Sequence, residues 1–499
     1  MKSQTTLLIL SGITLFTIAT GACFLWFLKF DGIEFNGDSF TYFSNAKTFL
    51  SAVSNGQFPK STFWPYGFPA VLSSSFLLGD ETYESARWIN VVLAGLLNST
   101  FAAVMLLFAS VRRLSSSHTI LLMLAAGLFP VGHDIFLKYQ LLIMSDVLAA
   151  LFSMLTLFCC WRWRAYGRWY NAALAGIFLG FAGCTRYVHL LTSVAAFSIF
   201  ISGLKKENIR STLLALLVFG AFTLLAFAPQ LSITLQDTSS TVGHSLLKDW
   251  SLQNFFLSTH ESADGHQQGK VPSLIYYFAL PFRFECFTPL GLILAMLGIR
   301  FAIRELPLWC WLPLMVWYFS FYFFHSGIPI ENSRHAFPLF LPIVLWIALG
   351  LLECWLLWPR HFIHIVIFTF MLWLGAFMLS VQSAEKLVHT KNELKATAQI
   401  LSRTVPPGSR VISTSLCAVY HAYPETVVPI SIYSIPLEQT KNLFQEKTPV
   451  YMAIDEKRFI PQWTNYPPGK NYYWIKNYYT CQYKFVLGDY TVYEIKEKN

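Results

Sequence analysis

"ENSRHAFPLFLPIVLWIALGL", residues 331–351, decides the class of this chain. Glu331, Arg334 and His335 crowd its start, an apolar run follows, and Arg360 stands beyond the far end. A bilayer crossing needs about 20 mostly apolar residues. The pattern therefore predicts a transmembrane helix over 336–356, with a charged mouth at one end and a basic stop at the other.

Working outward, similar segments recur along most of the first 380 positions. Of 499 residues, 55% are hydrophobic, 17% aromatic and only 13% charged, about half the charged share of soluble domains. Spans are expected near 7–28, 87–110, 118–134, 143–161, 170–184, 187–203, 211–231, 284–302, 306–324, 336–356 and 361–381, eleven in all. The first, Leu7 to Leu28, lacks a basic leader and a small-residue cleavage site, so it reads as a retained anchor.

The net charge of +9 concerns topology. Basic residues gather at Lys2, Arg112 and Arg113, Arg162, Arg164 and Arg168, Lys205, Lys206 and Arg210, Arg300 and Arg304, and Arg360. These are short clusters on every second connection and not one continuous face, which argues against nucleic acid as a partner. Lys and Arg near span ends stay on the cytoplasmic side, so the N-terminus is expected inside and the C-terminus outside. The extracytoplasmic connections are then 29–86, a short one near 135–142, the turn at Arg186, 232–283, 325–335 and everything after about 382.

The chain divides into a transmembrane part, 1–384, with large outward loops at 29–86 and 232–283, and a soluble tail, 385–499. In the tail, "RVISTS" (410–415) and "PVYMAID" (449–455) read as strands, and "KNELKATAQILSR" (391–403) as a helix before them. "YKFVL-GD-YTVYEI" (483–495) reads as a hairpin on a Gly-Asp turn. Most of the nine cysteines sit in apolar segments as small buried hydrophobes. Cys417 and Cys481 lie in the polar tail, where a disulfide between them stays open.

The outward loops carry the chemistry. After Asp31, Glu34 and Asp38, residues Phe40, Phe43, Ala46, Leu50 and Val53 recur at helical spacing, and Asn55-Gly56 supplies a stop. This predicts an amphipathic interfacial helix capped by Asp38 or Ser39; because Ser39 caps as well as Asp38, the carboxylate is as much a functional candidate as a cap. "FWPYGFPAVLSSSFLLG" (63–79) is too broken to span and reads as a loop dipping into the membrane. Asp146 stands at the outer edge of the fourth span, Arg87 opens the second, Arg186 lies in a tight outer turn, and His325, Glu331 and Arg334 sit at the mouth of the tenth. Each alone reads as a cap or an interfacial anchor. Together, acids and arginines at one membrane edge suit a phosphorylated, lipid-linked ligand. "HESADGH" (260–266) offers His260, Glu261, Asp264 and His266, but Asp264 breaks the zinc-protease spacing, so this is expected to be a flexible polar loop.

The order of "NGDSFTYFSNAKTF", "WPYGFPAVLS", "ARWINVVLAGLLNS", "MSDVLAALF", "LGFAGCTRYVHLL" and "ENSRHAFPLFLPIVLWIALGL" resembles the polytopic glycosyltransferases that use polyprenyl-phosphate sugars. The likeness is to the bacterial relatives of protein O-mannosyltransferases and lipid A aminoarabinose transferases, and it covers residues 1 to about 356. It implies a GT-C type membrane protein of about 11 helices with a small extracytoplasmic α/β domain. It further implies Asp38 as catalytic base, Asp146 as a second catalytic acid, and Arg334 and Arg186 on the donor phosphate, with Tyr42, Arg87, Glu331 and His325 lining the pocket. Tyr187 stands where the family often has proline after the arginine, and Ser39 replaces the second acid of its frequent "DE" spelling.

The implied reaction is inverting transfer of a hexosyl or pentosyl group from a polyprenyl-phosphate donor to a glycolipid, polysaccharide or protein, at the periplasmic side of a bacterial inner membrane. No cofactor is implied with certainty, and a divalent cation stays open. The competing class is a transporter or lipid flippase, which predicts charges at mid-depth of the bundle. No internal repeat is visible, which argues modestly against that class.

Overall fold

The structure, a computed structural model, describes residues 37–498 apart from 58, 60–63, 79–82, 203, 205–208, 237–248, 263–264, 415–427, 434, 446–447 and 488–489, together with six positions between 18 and 28. Asp31, Glu34, Asp264, Cys417 and most of the expected first span lie outside the described residues.

Helix α1 (Gly37–Ser54) is the expected amphipathic helix. Asp38 lies inside its first turn, and the chain stops at Asn55-Gly56, where Gly56 takes φ +66°. The helix buries Tyr42, Phe43 and Ala46 against α2 (Gly67–Leu78), the segment read as a dipping loop. Next come α3 (Tyr83–Arg112), α4 (Ser116–Leu128), α5 (Asp134–Leu141), α6 (Asp146–Tyr166), α7 (Trp169–Thr185), α8 (Thr192–Ile201) and α9 (Ile209–Gln236). The second half of the bundle has α10 (Ser273–Ala279), α11 (Thr288–Glu305), α12 (Leu308–Ser326), α13 (Phe337–Leu357) and α14 (Phe362–Thr404).

Five stretches among the described residues are long and apolar enough to cross a bilayer alone: Ala86–Arg112, Asp146–Tyr166, Ile209–Leu235, Ser333–Leu357 and Phe362–Lys386. The span expected over 118–134 bends by 72° between Ser116–Gly132 and Asp134–Gln140. The pair expected at 170–203 is a shorter hairpin broken by a 3₁₀ turn at Tyr187–Leu191. α11 ends in Arg300, Arg304 and Glu305, and α12 is rich in Trp and Tyr, so these two are less apolar than the spans they were expected to form.

Helix α13 is the hub: 89% of its apolar window is buried, against 17% for α9 and 11% for α14 on the periphery. It packs antiparallel on α11 through two glycines. A Cβ at Gly298 would strike the Trp346 carbonyl, and one at Gly350 would strike that of Leu294. Small residues allow such backbone approach between membrane helices.

Helix α14 carries the chain into the C-terminal unit, and its end packs Leu401 and Val405 on one face of a five-stranded sheet. Strands β1 (Thr259–Ser262) and β2 (Gly265–Gln268) form a separate hairpin in the long connection between α9 and α10. The loop expected at "HESADGH" is therefore a two-stranded ribbon, and its antiparallel pairing shows no apolar alternation because its side chains are nearly all polar. The large sheet has the order β4-β3-β5-β7-β6, from β3 (Arg410–Ser413), β4 (Val428–Ser431), β5 (Val450–Asp455), β6 (Tyr479–Leu487) and β7 (Tyr490–Glu497). The β6–β7 hairpin is the expected one, with Leu487 opposite Tyr490. Alternate residues of β5 serve the two faces: Tyr451 and Ala453 meet α14, whereas Met452 and Ile454 meet α16 (Glu456–Trp463) and α17 (Pro467–Tyr478). The remaining helix of the unit, α15 (Leu437–Leu443), was not foreseen, nor were β4, α16 and α17.

Candidate active site at one end of the helix bundle

Four helix termini converge on one ion cluster. Asp146 opens α6, where a plain capping role was the alternative; Ser145 holds the cap position and makes no side-chain cap bond, and the Asp146 carboxylate is turned to two arginines. Arg186 Nη1 donates to its Oδ1, and Arg334 Nε donates to its Oδ2 at 2.8 Å. Arg334 Nη1 donates to Asp38 Oδ2 from α1, and Nη2 lies 3.4 Å from the Tyr42 hydroxyl. One guanidinium thus ties α1 to the start of α6.

Local sequence explains the placement. Arg186 sits in extended conformation at the break between α7 and the 3₁₀ turn, so its side chain leaves the helix axis. Arg334 lies in a 3₁₀ turn (Ser333–Ala336) whose start is capped by the Asn332 carboxamide, which accepts from the Arg334 amide at 2.9 Å. The Tyr42 hydroxyl is 2.7 Å from Ser145 Oγ. Burial pushes the Tyr42 phenol pKa up, partly offset by Arg334 and Arg186, so at neutral pH it is a hydroxyl and not a phenolate.

Burial grades across the cluster. Arg334 and Asp146 are almost wholly enclosed, whereas Asp38 is 28% exposed. Removing charges from water costs several kcal/mol per ion even after relaxation, and charges at the edge of an apolar bundle commonly serve function. The open side of this cluster is the Asp38 carboxylate.

Trp64 was missed by residue-level reading. Its ring lies 5.7 Å from the Arg334 guanidinium and 5.7 Å from the Tyr42 ring, which meets Phe68 edge-on at 5.1 Å. These aromatics wall the cluster. Behind them, Gln230 accepts from the Tyr66 amide and donates to the Tyr187 hydroxyl, which pins the first loop to α9. Tyr187, in the place of the family's proline, thus has its own structural contact.

The expected pocket residues separate. Tyr42 is in the cluster. Arg87 is buried in the first turns of α3. His325 is buried at the end of α12, stacked on His335 at 5.4 Å and within the electrostatic reach of Arg186. Glu331 does not join the cluster: its carboxylate lies 3.3 Å from Ser273 Oγ and 3.9 Å from His260 Nε2, in a separate cavity. A short turn sends Glu331 and Arg334 to different places.

Among the described residues no group of three or more His, Cys, Asp or Glu side chains is arranged to hold a metal. A divalent cation at Asp38 and Asp146 would have to displace a guanidinium from each. His266 instead hydrogen-bonds Glu261 across the β1–β2 ribbon.

The opposite ends of the same helices are basic. Arg112 of α3 pairs with Glu305 of α11 at 2.6 Å, and Arg300 and Arg304 reach the buried Glu353 of α13 at 3.1 and 3.2 Å. Along α6 Asp146 stands about 27 Å from the last basic residue, Arg164, close to the hydrocarbon thickness of about 30 Å. The charged residues of α3, α6 and α13 (Glu84, Arg87 and Arg112; Asp146, Arg162 and Arg164; Glu353) all lie within about five residues of a helix end.

No protein-family model matches the sequence, and no curated protein is similar to it at a significant level. The fold is similar to that of ArnT from Cupriavidus metallidurans bound to undecaprenyl phosphate, at 9% identity and a TM-score of 0.62, over 99% of this chain and 98% of that one. The same protein in the apo state matches at 10% identity and 0.59, over 98% of each chain. The archaeal oligosaccharyltransferase AglB from Archaeoglobus fulgidus, in complex with an inhibitory peptide and a dolichol-phosphate, matches at 10% identity and 0.50, over 96% of this chain and 74% of that one. At these identities the likeness concerns the fold alone: this is a polytopic α-helical membrane protein with a C-terminal α/β unit.

Proposed function

We propose that this protein is an integral membrane glycosyltransferase that moves a sugar from a polyprenyl-phosphate donor to an acceptor hydroxyl or amine on the extracytoplasmic side. One observation carries the reading: a buried Arg334 bridges Asp38 and Asp146 at the outer ends of the helices, with Arg186 on the other oxygen of Asp146. The fold likeness to ArnT bound to undecaprenyl phosphate supports a lipid-phosphate donor. The middles of α3, α6 and α13, which carry no charge, support an enzyme over a transporter or flippase, which would carry ionisable groups at mid-depth.

The proposed mechanism follows from the pairing. A donor phosphate presents two oxygens suited to a guanidinium edge. Its arrival competes with Asp38 for Arg334 Nη1 and releases the partly exposed carboxylate from that bond. Asp38 then accepts the acceptor's proton as the acceptor oxygen or nitrogen bonds to the anomeric carbon and the bond from that carbon to the phosphate oxygen breaks. The electron pair leaves with polyprenyl phosphate, whose charge Arg334 and Arg186 offset. A single displacement inverts the anomeric carbon. Asp146 holds both guanidiniums in place, and the bound donor would lie with its tail among the spans. The protein would reside in a bacterial inner membrane, with its N-terminus cytoplasmic and residues 385–499 extracytoplasmic.

The reading is tested with the full chain in nanodiscs and synthetic polyprenyl-phosphate hexoses and pentoses. Release of polyprenyl phosphate that requires Asp38 supports it; no release from any such donor, together with no binding of undecaprenyl phosphate, rejects it.

A further inference from the structure

Beside the ion cluster lies a cavity of about 500 Å³, lined by the β1–β2 ribbon (His260, Gln267, Gln268), Lys270, Tyr276, Arg283, Glu285 and Glu331. Its volume is in the range of about 300–1,000 Å³ typical of small-molecule sites. The walls are planar polar groups around one aromatic ring, with two cations balanced by two carboxylates. A free phosphate or polyphosphate would meet Glu285 and Glu331 at close quarters, so the balance disfavours an anion. It suits a neutral ring bearing many hydroxyls, each able to donate to a carboxylate or carboxamide oxygen and accept from an amide or cation.

The cavity has hydrogen-bonding capacity left over. Gln267, Gln268, Lys270 and Glu285 have no side-chain partner among the described residues. His260 is 2% exposed; its Nε2 is 3.0 Å from Ser273 Oγ, and its Nδ1 is buried with no partner among the described residues. An orphan buried nitrogen is costly. Burial lowers the His260 pKa and raises that of Glu331, the latter partly offset by Ser273 and Arg283.

The site is also held firmly and lies near the reacting groups. Gly269 leaves room for Glu331, because a Cβ there would occupy the place of its carboxylate. Gly265 of the ribbon, at φ +90°, presses on the Gln462 carbonyl of α16, so the C-terminal unit backs the cavity wall. On the inner side, the Tyr277 hydroxyl donates to the Ile330 carbonyl at 2.9 Å, fixing the turn that holds Glu331. Arg334 follows three residues later, at most about 11 Å along the chain.

We propose that this cavity binds a saccharide unit of the acceptor, making the acceptor a glycan; the proposal rests on the glycosyltransferase reading. The donor's tail belongs among the spans, whereas this cavity is built from the β1–β2 ribbon, the short helix α10 and the turns that carry Arg283, Glu285 and Glu331.

The test is saturation-transfer NMR on the full chain in nanodiscs, with free hexoses, hexosamines and their disaccharides as probes. Transfer to sugar ring protons is expected, weakened at least tenfold in the Gln267→Ala/Gln268→Ala variant and in Tyr276→Ala, while undecaprenyl phosphate binding, which also reports the fold, is unchanged. The proposal is overturned if no sugar receives saturation, if both variants keep the wild-type signal, or if inorganic phosphate displaces the sugar at equal concentration. Asp38→Asn should retain the sugar signal even if no transferase activity is ever found, so failure of the activity and failure of this site are distinguishable.

Discussion

Both ends of the helix bundle hold arginines paired with acids, but they are built differently. At the basic end, Arg112, Arg300 and Arg304 are each about half exposed while pairing with Glu305 and Glu353. At the other end the arginine itself is enclosed, with Arg334 5% exposed and shared by two aspartates, and only Asp38 faces outward. The first arrangement is that of snorkelling side chains that fix helix ends at an interface. The second keeps a cation out of water and leaves one proton acceptor accessible, as a site for an anionic lipid phosphate needs. The contrast teaches that ion pairing alone does not mark a site; burial of the cation does.

Four substitutions sharpen that contrast. Arg334→Ala should have the largest effect. It leaves Asp38 and Asp146 facing each other with one guanidinium lost, so turnover should vanish and stability should fall by about 3–5 kcal/mol, read from thermal unfolding in detergent. Asp38→Asn should lower turnover by about 10²–10⁴-fold, the usual share of a general base, with undecaprenyl phosphate binding kept. Stability falling as far as in Arg334→Ala would make Asp38 structural instead. Tyr42→Phe removes the hydroxyl shared with Ser145 and should cost about 1 kcal/mol, or roughly fivefold in turnover if it acts on the transition state. Arg112→Ala at the opposite end should change stability by no more than about 1 kcal/mol, as surface pairs do, and leave turnover alone. An equal loss for Arg112→Ala and Arg334→Ala would erase the distinction between the two ends.

The parts of this arrangement legible in the sequence were those with contrast. Asp38, Asp146, Arg186 and Arg334 stand out because they are charges at the rims of apolar segments, and the structure joins all four. Trp64 escaped because one more aromatic in an aromatic-rich chain carries no contrast, although the "WPYGFP" segment around it was singled out. Glu331 was grouped with Arg334 on adjacency, but the direction of a side chain in a 3₁₀ turn depends on packing from Tyr277 and Ser273, far away in sequence. Helix α14 was read as a span and a separate helix because its hydropathy changes midway, yet the backbone runs unbroken for 43 residues. The long spans α3, α9 and α13 were clear from apolarity, whereas the short hairpin near Arg186 and the bent pair near His133 depend on tertiary contacts. The same holds for β4 and for α15 to α17, whose short segments are fixed by the sheet they cover.

The central claim is that the outer cluster transfers sugar, with Asp38 taking the proton. Its most direct test is mass spectrometry of envelope glycolipids and glycoproteins from cells carrying the wild-type chain or Asp38→Asn at equal membrane abundance. A sugar mass increment present with the wild type and absent with Asp38→Asn is the predicted result. The same increment with both chains, or none that depends on either, would contradict it.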